Sequence, residues 1–327
     1  MRRFSLDLVS RILELHPTHL VPLSNVLRAL VALFLCHLCF GADNYLFTSF
    51  RKNGETGVFL ALSDDGKKWT PLNDNKPWIA PEHPGMLMRD PFLIKGPDNT
   101  WHLLWTWGWN RKDTGGGLKI GHTTSRDLIH WTGQKEIPIL PNEPTARNAW
   151  APETVWDAAR KEWIIFWSTT IPGRLPGYNH RVYAMTTKDW NTYSPAKVWF
   201  DPGFNCIDAT LVQDGKRWVM IFKDEREEPV KKNLRLAFAA SPAGPWKNVT
   251  ETFSQAWVEG PSAIKIGQDW WIYFDRYREH HYGAIKTRDW KSFEDVSAQV
   301  SFPDDHRHGT VVRISGKEAA ALQAIKY

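Results

Sequence analysis

From residue 44 onwards, the chain alternates short apolar runs with polar turns, and this alternation repeats. The runs are rich in Val, Ile, Phe, Trp and Tyr and are bounded by Asp-Gly, Gly-Pro and Asn turns. Such runs predict β-strands, and no long stretch after residue 44 has the apolar period of a helix. The Trp-rich runs are 101–105, 163–167, 218–222 and 270–274. Each is followed by a further predicted strand, at 118–124, 181–187, 234–240 and 282–287.

A polar residue leads each repeat and recurs at a nearly even spacing. These leading residues are Asp90 in Arg89-Asp90-Pro91, Glu153 in Trp150-Ala151-Pro152-Glu153, Asp208 in Ile207-Asp208-Ala209, Glu259 in Glu259-Gly260-Pro261 and His308 in His308-Gly309-Thr310. The steps between them are 63, 55, 51 and 49 residues, a period typical of repeat folds such as propellers. The first unit, from residue 45, lacks a leading residue, whereas the chain ends with a spare one.

This split repeat predicts an all-β fold, a five-bladed β-propeller with four-stranded blades. The C-terminal strand would complete the first blade, because closure removes exposed sheet edges. A β-sandwich is the alternative, but it predicts neither aligned leading residues nor a split repeat. Residues 44–327 would form this single domain, with about 57 residues per blade.

The segment before the repeats has a different character. Residues 29–41 form an apolar run behind Arg28 that is too short to span a bilayer. We therefore expect residues 1–41 to be a signal peptide or N-terminal extension, with a helix packed on the propeller as the alternative. A signal peptide implies a secreted or periplasmic protein without a membrane span in the mature chain.

Charge and cysteine content narrow the function further. The net charge of +5 falls to +3 without residues 1–41, and the basic residues are scattered. This distribution argues against a nucleic-acid partner, which would need a basic stripe. Cleavage would leave Cys206 as the one cysteine, so no disulfide framework is expected. We interpret Cys206 as a buried apolar residue rather than a nucleophile.

The leading residues suggest acid–base chemistry, because inner propeller strands begin at the same end of the channel and would bring them together. Two carboxylates about 8 Å apart interact by about 2 kcal/mol at an effective dielectric of about 20. One carboxyl group would then hold a proton while another stays ionised, as glycoside hydrolysis requires. The alternatives are a metal site, or ion pairs that link blades through Arg89, Arg147 and Arg307.

Other residues have weaker signals. Trp109 and Trp150 are the preferred sugar contacts, ahead of Trp105 and Trp107, because flat aromatic faces suit sugar rings. Two polar segments, 223–225 and 275–277, end predicted second strands. Surface salt bridges are the favoured interpretation of both segments, and the alternative is that these strand ends reach the mouth of the channel through their loops.

These five segments, in this order and spacing, resemble glycoside hydrolase family 43. Its members are five-bladed propellers that act on arabinose- and xylose-containing glycans, and the resemblance covers the chain after about residue 44. It implies that Asp90 is the general base, that Glu259 is the general acid and that Asp208 raises the pKa of the acid and orients it. It also implies inversion of configuration.

The resemblance adds binding residues as well. His308 matches a histidine deep in the channel that helps to hold a calcium ion or other small cation in some members; no cofactor is otherwise required. We expect Trp109, Trp150, Glu153, Arg307 and His308 to contact an oligosaccharide or polysaccharide substrate. Many relatives have Asp where this chain has Glu153, so Glu153 is a rival to Glu259 as the acid.

The leading functional hypothesis is an exo-acting glycosidase that removes arabinofuranosyl or xylosyl units. A fructan- or sucrose-cleaving propeller is one alternative, although the segment 43–50 lacks the expected Asn-Asp-Pro-Asn-like nucleophile motif. A carbohydrate-binding propeller without catalysis is the other alternative, although all three expected acids are present.

Overall fold

A computed structural model describes residues 44–174 and 179–325, which form five antiparallel sheets. Sheet 1 contains β1 (Asn44–Arg51), β2 (Phe59–Ser63), β3 (Thr70–Pro71), β19 (His306–Arg307) and β20 (Val311–Ile314). Sheet 2 contains β4 (Arg89–Lys95), β5 (Trp101–Thr106), β6 (Lys119–Ser125) and β7 (Lys135–Pro138). Sheet 3 contains β8 (Trp150–Asp157), β9 (Glu162–Thr169), β10 (Arg181–Thr187) and β11 (Lys197–Phe200).

The last two sheets follow in chain order. Sheet 4 contains β12 (Cys206–Asp214), β13 (Arg217–Asp224) and β14 (Asn233–Ala239). Sheet 5 contains β15 (Glu259–Ile266), β16 (Asp269–Arg276), β17 (His281–Thr287) and β18 (Glu294–Asp295). The predicted signal peptide or extension at residues 1–41 lies outside the described residues.

The two ends of the repeat region meet in sheet 1, as predicted. Strand β1 pairs with β20, where Phe47 lies opposite Val311, and also with β19, where Phe50 lies opposite Arg307. The closing strand is therefore divided into two short pieces, with His308 in the break between them. This closure completes the five-bladed β-propeller.

Sheet 4 differs from the predicted four-stranded blade, because it has three strands. A single bridge between Phe238 and Lys247 stands where a fourth strand would pair. Asn248, the residue directly after this bridge, has φ +55°, a left-handed conformation that regular strands do not contain. The pairing therefore does not continue as a regular ladder beyond the bridge.

The core consists of five apolar clusters, one between each pair of neighbouring sheets around the ring. The cluster between sheets 5 and 1 closes the ring: Phe47 packs edge-on against Tyr282, with ring centroids 4.9 Å apart. Trp105 and Trp107 are buried in the cluster between sheets 1 and 2. The described cysteine, Cys206, is also buried, and burial raises its pKa to about 12, as expected for an inert thiol.

Four surface turns share one hydrogen bond, in which a hydroxyl at the end of a strand accepts the N–H three residues later. Ser63, Ser125, Thr187 and Thr287 provide the hydroxyl, at 2.9 to 3.0 Å. The donating residue has a positive φ in all four turns, and it is glycine only in the first. Local hydroxyl–backbone bonds of this kind stabilise turns.

The inner strands of sheets 2 to 5 each begin with the same irregularity, which aims the leading residues. The register shifts within a few residues of the strand start. The residue with positive φ at the shift is Asp90, Ala151, Asp208 or Gly260, with φ between 46° and 56°. A bulge redirects side chains at a strand end. These four positions are equivalent, so Glu153 lies two residues beyond its bulge position and Glu259 lies one residue before.

A helix follows the last strand, although the apolar pattern of the sequence predicts no helix after residue 44. Helix α1 (Gly316–Ala324) begins at Ser315, which forms a capping box with Glu318. Short 3-10 turns cover Asn73–Asn75 and Ser297–Gln299. Within residues 44–174 and 179–325, no helix has the length and apolar character needed to cross a membrane.

Candidate active site

The inner-strand starts surround a cavity of about 290 Å³ at one end of the propeller. It is lined by Arg89, Asp90, Trp109, Trp150, Ile207, Asp208, Lys223, Glu225, Glu259, Tyr277, Arg307 and His308. The structure therefore brings together the three predicted catalytic acids and four of the five predicted binding residues. Glu153 is the predicted residue that does not line the cavity.

His308 lies between two of the acids. Its Nδ1 is 3.4 Å from Oδ1 of Asp90 and 3.9 Å from Oδ2 of Asp208. The imidazole packs directly on Gly260, where a Cβ atom would lie 2.3 Å from Cγ of the histidine. Gly260 also has φ +56°, so both its conformation and this contact require glycine.

Asp90 is oriented by hydroxyl and backbone groups. Its Oδ2 accepts a 2.7 Å hydrogen bond from the hydroxyl of Thr106. That hydroxyl in turn accepts the N–H of Ala151 at 2.8 Å, which links sheet 2 to sheet 3. Oδ1 remains on the His308 side, and the side chain is 10% exposed, towards the cavity.

Asp208 connects sheet 4 to sheet 5. Its Oδ2 accepts the backbone N–H of Gly260 at 3.1 Å, next to Glu259 in the chain. Burial raises the pKa of Asp208, and the charge of Glu259 acts in the same direction, whereas His308 opposes it. Asp208 is therefore placed to position Glu259 and to hold a proton more readily than an exposed aspartate.

Glu259 is held by two cations. Nζ of Lys223 lies 3.0 Å from Oε2, and Nη2 of Arg307 lies 2.8 Å from Oε1. Burial raises the pKa of Glu259, but Lys223 and Arg307 outweigh burial and the net pKa lies below its ordinary value. In this geometry the predicted general acid is ionised.

The interpretation of Lys223 and Asp275 as surface salt-bridge residues is wrong about their location, because both side chains are buried. The alternative, that these strand ends reach the mouth, holds for Lys223, which lines the cavity. Lys223 is 2% exposed and also contacts Oε2 of Glu225 at 2.9 Å. Asp275 is fully buried and accepts a hydrogen bond from Nε of Arg307 at 3.3 Å. The ion pairs therefore exist, but Lys223 forms its pairs in the cavity wall and Asp275 lies behind the wall, against Arg307.

The pairing of inner and second strands places both residues at the site. Lys223 lies opposite Ile207, and Asp275 lies opposite Glu259, because each second strand runs back to the start of its inner strand. Counting back from the turn of each hairpin therefore places residues 223 and 275 beside the leading residues.

Glu153 lies in the channel wall rather than in the cavity. It is 7% exposed, and its Oε2 has no hydrogen-bond partner among the described residues. Burial raises the pKa of Glu153 well above its ordinary value, and the charge of Asp208 adds to this effect. This shift favours the protonated form of Glu153, whose side chain is enclosed in the wall and does not line the cavity.

Two tryptophans form an aromatic wall. Trp109 is 41% exposed and meets Trp150 edge-on, with ring centroids 5.5 Å apart. The indole N–H of Trp150 donates to the carbonyl of Trp109 at 2.7 Å, and its ring stacks on His180. An exposed aromatic face held by a hydrogen bond is suited to the apolar face of a sugar.

The described residues give no direct support to a metal site. No group of three or more His, Cys, Asp or Glu side chains in residues 44–174 and 179–325 is arranged to hold a metal ion. Nδ1 of His308 instead faces Asp90 and Asp208. Calcium binding at His308 stays a prediction.

A larger depression, of about 640 Å³, lies at the outer edge of sheet 4. Asp214 is the one carboxylate among its lining residues, and Arg217 pairs with it at 2.9 Å. Because glycoside hydrolysis needs two carboxyl groups, this depression does not provide that chemistry. The smaller cavity at the inner-strand starts is the candidate active site.

A five-bladed propeller with carboxyl groups and aromatic rings at one mouth has the architecture of propeller-type glycoside hydrolases. The family model described as a probable glycosyl hydrolase domain, related to glycoside hydrolase family 43, matches residues 42–320. The chain belongs to this family of glycoside hydrolases. The predicted resemblance to family 43 is thereby confirmed.

The chain is also similar to individual proteins. An α-L-arabinofuranosidase of Bifidobacterium longum subsp. longum is 26% identical over an alignment of 161 positions that covers 42% of this chain and 15% of that protein. The alignment therefore spans about a seventh of that protein's length.

Two solved structures show the same fold. A thermostable family-43 glycoside hydrolase has a TM-score of 0.54 and 15% identity, over 70% of this chain and 80% of that one. An endo-arabinase from Bacteroides thetaiotaomicron has a TM-score of 0.53 and 13% identity, over 69% and 94%.

Proposed function

We propose that this protein is a glycosidase that removes arabinofuranosyl or xylosyl units from glycan chains, with inversion of configuration. The observation that carries the proposal is the convergence of Asp90, Asp208 and Glu259 on one cavity beside two tryptophans. The pentose preference draws on the similarity to an α-L-arabinofuranosidase. We also propose a secreted or periplasmic location, in keeping with the apolar run at residues 29–41.

Asp90 would be the general base. Its Oδ2 is occupied by Thr106, whereas Oδ1 lies towards His308 at the cavity. A water held at this oxygen would lose its proton to Asp90 as it attacks the anomeric carbon. Inversion requires the base and the acid to lie far enough apart for this water to fit between Asp90 and the sugar.

Glu259 would be the general acid that protonates the leaving oxygen. It is the most exposed of the three acids, at 18% of its side chain. Lys223 and Arg307 hold it ionised in the free protein. Glu259 therefore donates a proton at acidic pH, or after the substrate has displaced one of these cations. Asp208 would position Glu259 through the N–H of Gly260.

The size of the cavity supports exo action. A volume of about 290 Å³ lies at the small end of ligand pockets, which span about 300–1,000 Å³. Such a cavity accommodates the end of a glycan chain better than its middle. Trp109 and Trp150 would form the wall against which the terminal sugar packs.

A panel of aryl glycosides tests the proposal: α-L-arabinofuranoside, β-D-xyloside, β-D-galactoside and β-D-fructofuranoside. We expect hydrolysis of a pentoside, with a loss of about 10²–10⁴-fold in kcat for Asp90→Asn. Asp98→Asn, at an exposed turn of the same hairpin, is the matched control and should retain activity. Hydrolysis of the fructofuranoside alone would contradict the pentose assignment.

A binding protein without turnover is the second candidate. The specific observation in its favour is the pair of cations on Glu259, which leaves the predicted acid without a proton. In that case a pentose oligosaccharide would bind to the wild-type protein, and no glycoside would be hydrolysed at any pH between 4 and 8.

A further inference from the structure

Arg89 is held rigidly in the cavity wall. Its guanidinium lies between two aromatic rings, 4.6 Å from the centroid of Phe50 and 4.1 Å from that of Trp109. Nη1 donates to Oδ1 of Asn53 at 2.9 Å, and this oxygen also accepts the indole N–H of Trp109. Gly54, with φ +87°, leaves room for the stem: a Cβ there would lie 2.7 Å from Cγ of Arg89.

Arg89 differs from the other cations of the cavity, because no carboxylate among the described residues lies within ion-pair distance of it. Lys223 and Arg307 each pair with Glu259, and each has a second acidic partner. Arg89 is 5% exposed, and a cation this buried is usually paired. Burial lowers the pKa of Arg89, and the nearby charge of Asp90 opposes this effect.

The unused donors of Arg89 are accessible. Nε and Nη2 make no hydrogen bond to a described residue, and neither is sealed from solvent. Since Arg89 lines the cavity, these donors can be reached by a bound molecule. Two parallel N–H groups on one edge of a guanidinium bind a carboxylate in a bidentate manner.

We infer that Arg89, Asn53 and Trp109 form a subsite for a carboxylate-bearing sugar, a uronic acid residue of the substrate. This inference rests on the proposed function. The proposed general base, Asp90, directly follows Arg89 in the chain, so the subsite lies close to the bond that would be cleaved. The carboxylate accepts from Arg89, and the sugar ring packs on Trp109, which is 41% exposed. A neutral sugar would leave the buried charge without a counterion.

The overall charge of the cavity does not explain a preference for a uronate over a neutral sugar. The acidic side chains of Asp90 and Asp208 line the same cavity, and Lys223 and Arg307 are already paired. The affinity must therefore come from the geometry of the guanidinium edge, which a lysine ammonium does not reproduce. This requirement makes Arg89→Lys an informative variant, because it retains the charge and removes the paired donors.

Titration calorimetry with monosaccharides tests the subsite without hydrolysis. The probes are D-glucuronate and D-galacturonate against D-glucose and D-galactose. We expect the wild-type protein to bind a uronate about 10- to 100-fold more tightly than the matching neutral sugar. This ratio should fall to about 1 in Arg89→Met and to less than a third of its wild-type value in Arg89→Lys.

Two further variants distinguish loss of the uronate subsite from a disturbance of the fold. Asn53 lies in an exposed loop, and Asn53→Ala should lower the ratio without disturbing the fold, because Arg89 and Trp109 lose their shared acceptor. Arg126→Met, at an exposed arginine that donates to the carbonyl of Asp98, should leave the ratio unchanged. Equal binding of uronates and neutral sugars, or a preference that persists in Arg89→Met, would overturn the inference. Stronger binding of a sulfated sugar than of either uronate would also overturn it.

Hydrolysis assays distinguish a failure of the uronate subsite from a failure of the proposed function. Turnover of neutral pentosides with no uronate preference would contradict the subsite and leave the glycosidase assignment intact. Arg89-dependent uronate binding without turnover of any glycoside, with or without a uronate, would contradict the glycosidase assignment and support the subsite.

Discussion

The ammonium of Lys223 lies 3.0 Å from Oε2 of Glu259, at the junction of sheets 4 and 5. The pair is buried on the lysine side, since Lys223 is 2% exposed. A cation at this distance stabilises the carboxylate form of its partner. The group proposed to donate a proton is therefore held in its ionised form, and we expect its pKa to set the pH range of activity.

Removal of Lys223 should shift this pH range. The alkaline limb of kcat/KM follows loss of the proton from Glu259, because the acid must be protonated to act. Lys223 lowers the pKa of Glu259, so Lys223→Met raises it and moves the limb to higher pH, by about 1 unit or more. A pH profile of kcat/KM on an unactivated oligosaccharide measures this shift.

Lys286→Met is the matched control, because Lys286 forms a 3.0 Å pair with Glu294 at the surface of sheet 5. Its profile should coincide with that of the wild-type protein. An alkaline limb that stays in place in Lys223→Met, or moves to lower pH, would show that Glu259 is not the acid that governs it.

Glu153→Gln separates the two candidate acids. Since burial keeps Glu153 protonated, the neutral amide should replace it with a change in unfolding free energy of no more than about 1 kcal/mol. Because Glu153 does not line the cavity, kcat should stay within about tenfold of the wild-type value. A loss comparable with that of Glu259→Gln would instead identify Glu153 as a participant in the reaction.

Glu318 holds helix α1 in place through contacts whose contribution to stability depends on pH. Burial raises its pKa, but hydrogen bonds from Ser315 and contact with Lys95 lower it to about 2. A carboxyl pKa depressed in the folded state stabilises the protein above the unfolded pKa, near 4.3, and this stabilisation is lost as pH falls through about 2.

Glu318→Gln should therefore lower the unfolding free energy by about 1 kcal/mol at pH 7 and by progressively less as pH falls from 4.5 towards 2. Denaturant unfolding at several pH values measures this dependence. Asp304→Asn, at an exposed residue, should show no such dependence. A deficit that stays constant from pH 7 to pH 2 would contradict an electrostatic origin.

The repeat pattern was sufficient to predict the fold because propeller blades are built from local hairpins. Strand β10 has the predicted bounds, Arg181–Thr187, and the second strand of each of the four repeats after the first lies at its predicted Trp-rich run. Helix α1 was missed because it is short, although the spacing of Ser315 and Glu318 is a capping-box signal. The fourth strand of sheet 4 is reduced to one bridge beside the left-handed residue Asn248, and a pattern of apolar runs does not reveal that backbone conformation.

The site was predicted less completely, because the repeat pattern treats Asp90, Glu153, Asp208 and Glu259 as if they occupied the same position in each inner strand. The backbone bulge makes Ala151, rather than Glu153, the counterpart of Asp90 and Asp208. The bulge residue is non-glycine in three strands, so the sequence does not reveal the left-handed conformation directly. The contact of Lys223 with Glu259 joins different sheets, and the spacing of repeats does not specify which side chains meet across such a junction.

The most direct test of the account compares Asp90→Asn and Glu259→Gln on two pentosides with different leaving groups. A dinitrophenyl leaving group departs without protonation, whereas an unactivated sugar needs the acid. We predict that Glu259→Gln loses about 10²–10⁴-fold in kcat/KM on the unactivated glycoside and less than tenfold on the dinitrophenyl glycoside, while Asp90→Asn loses activity on both. Equal losses on the two substrates for Glu259→Gln would contradict its assignment as the general acid.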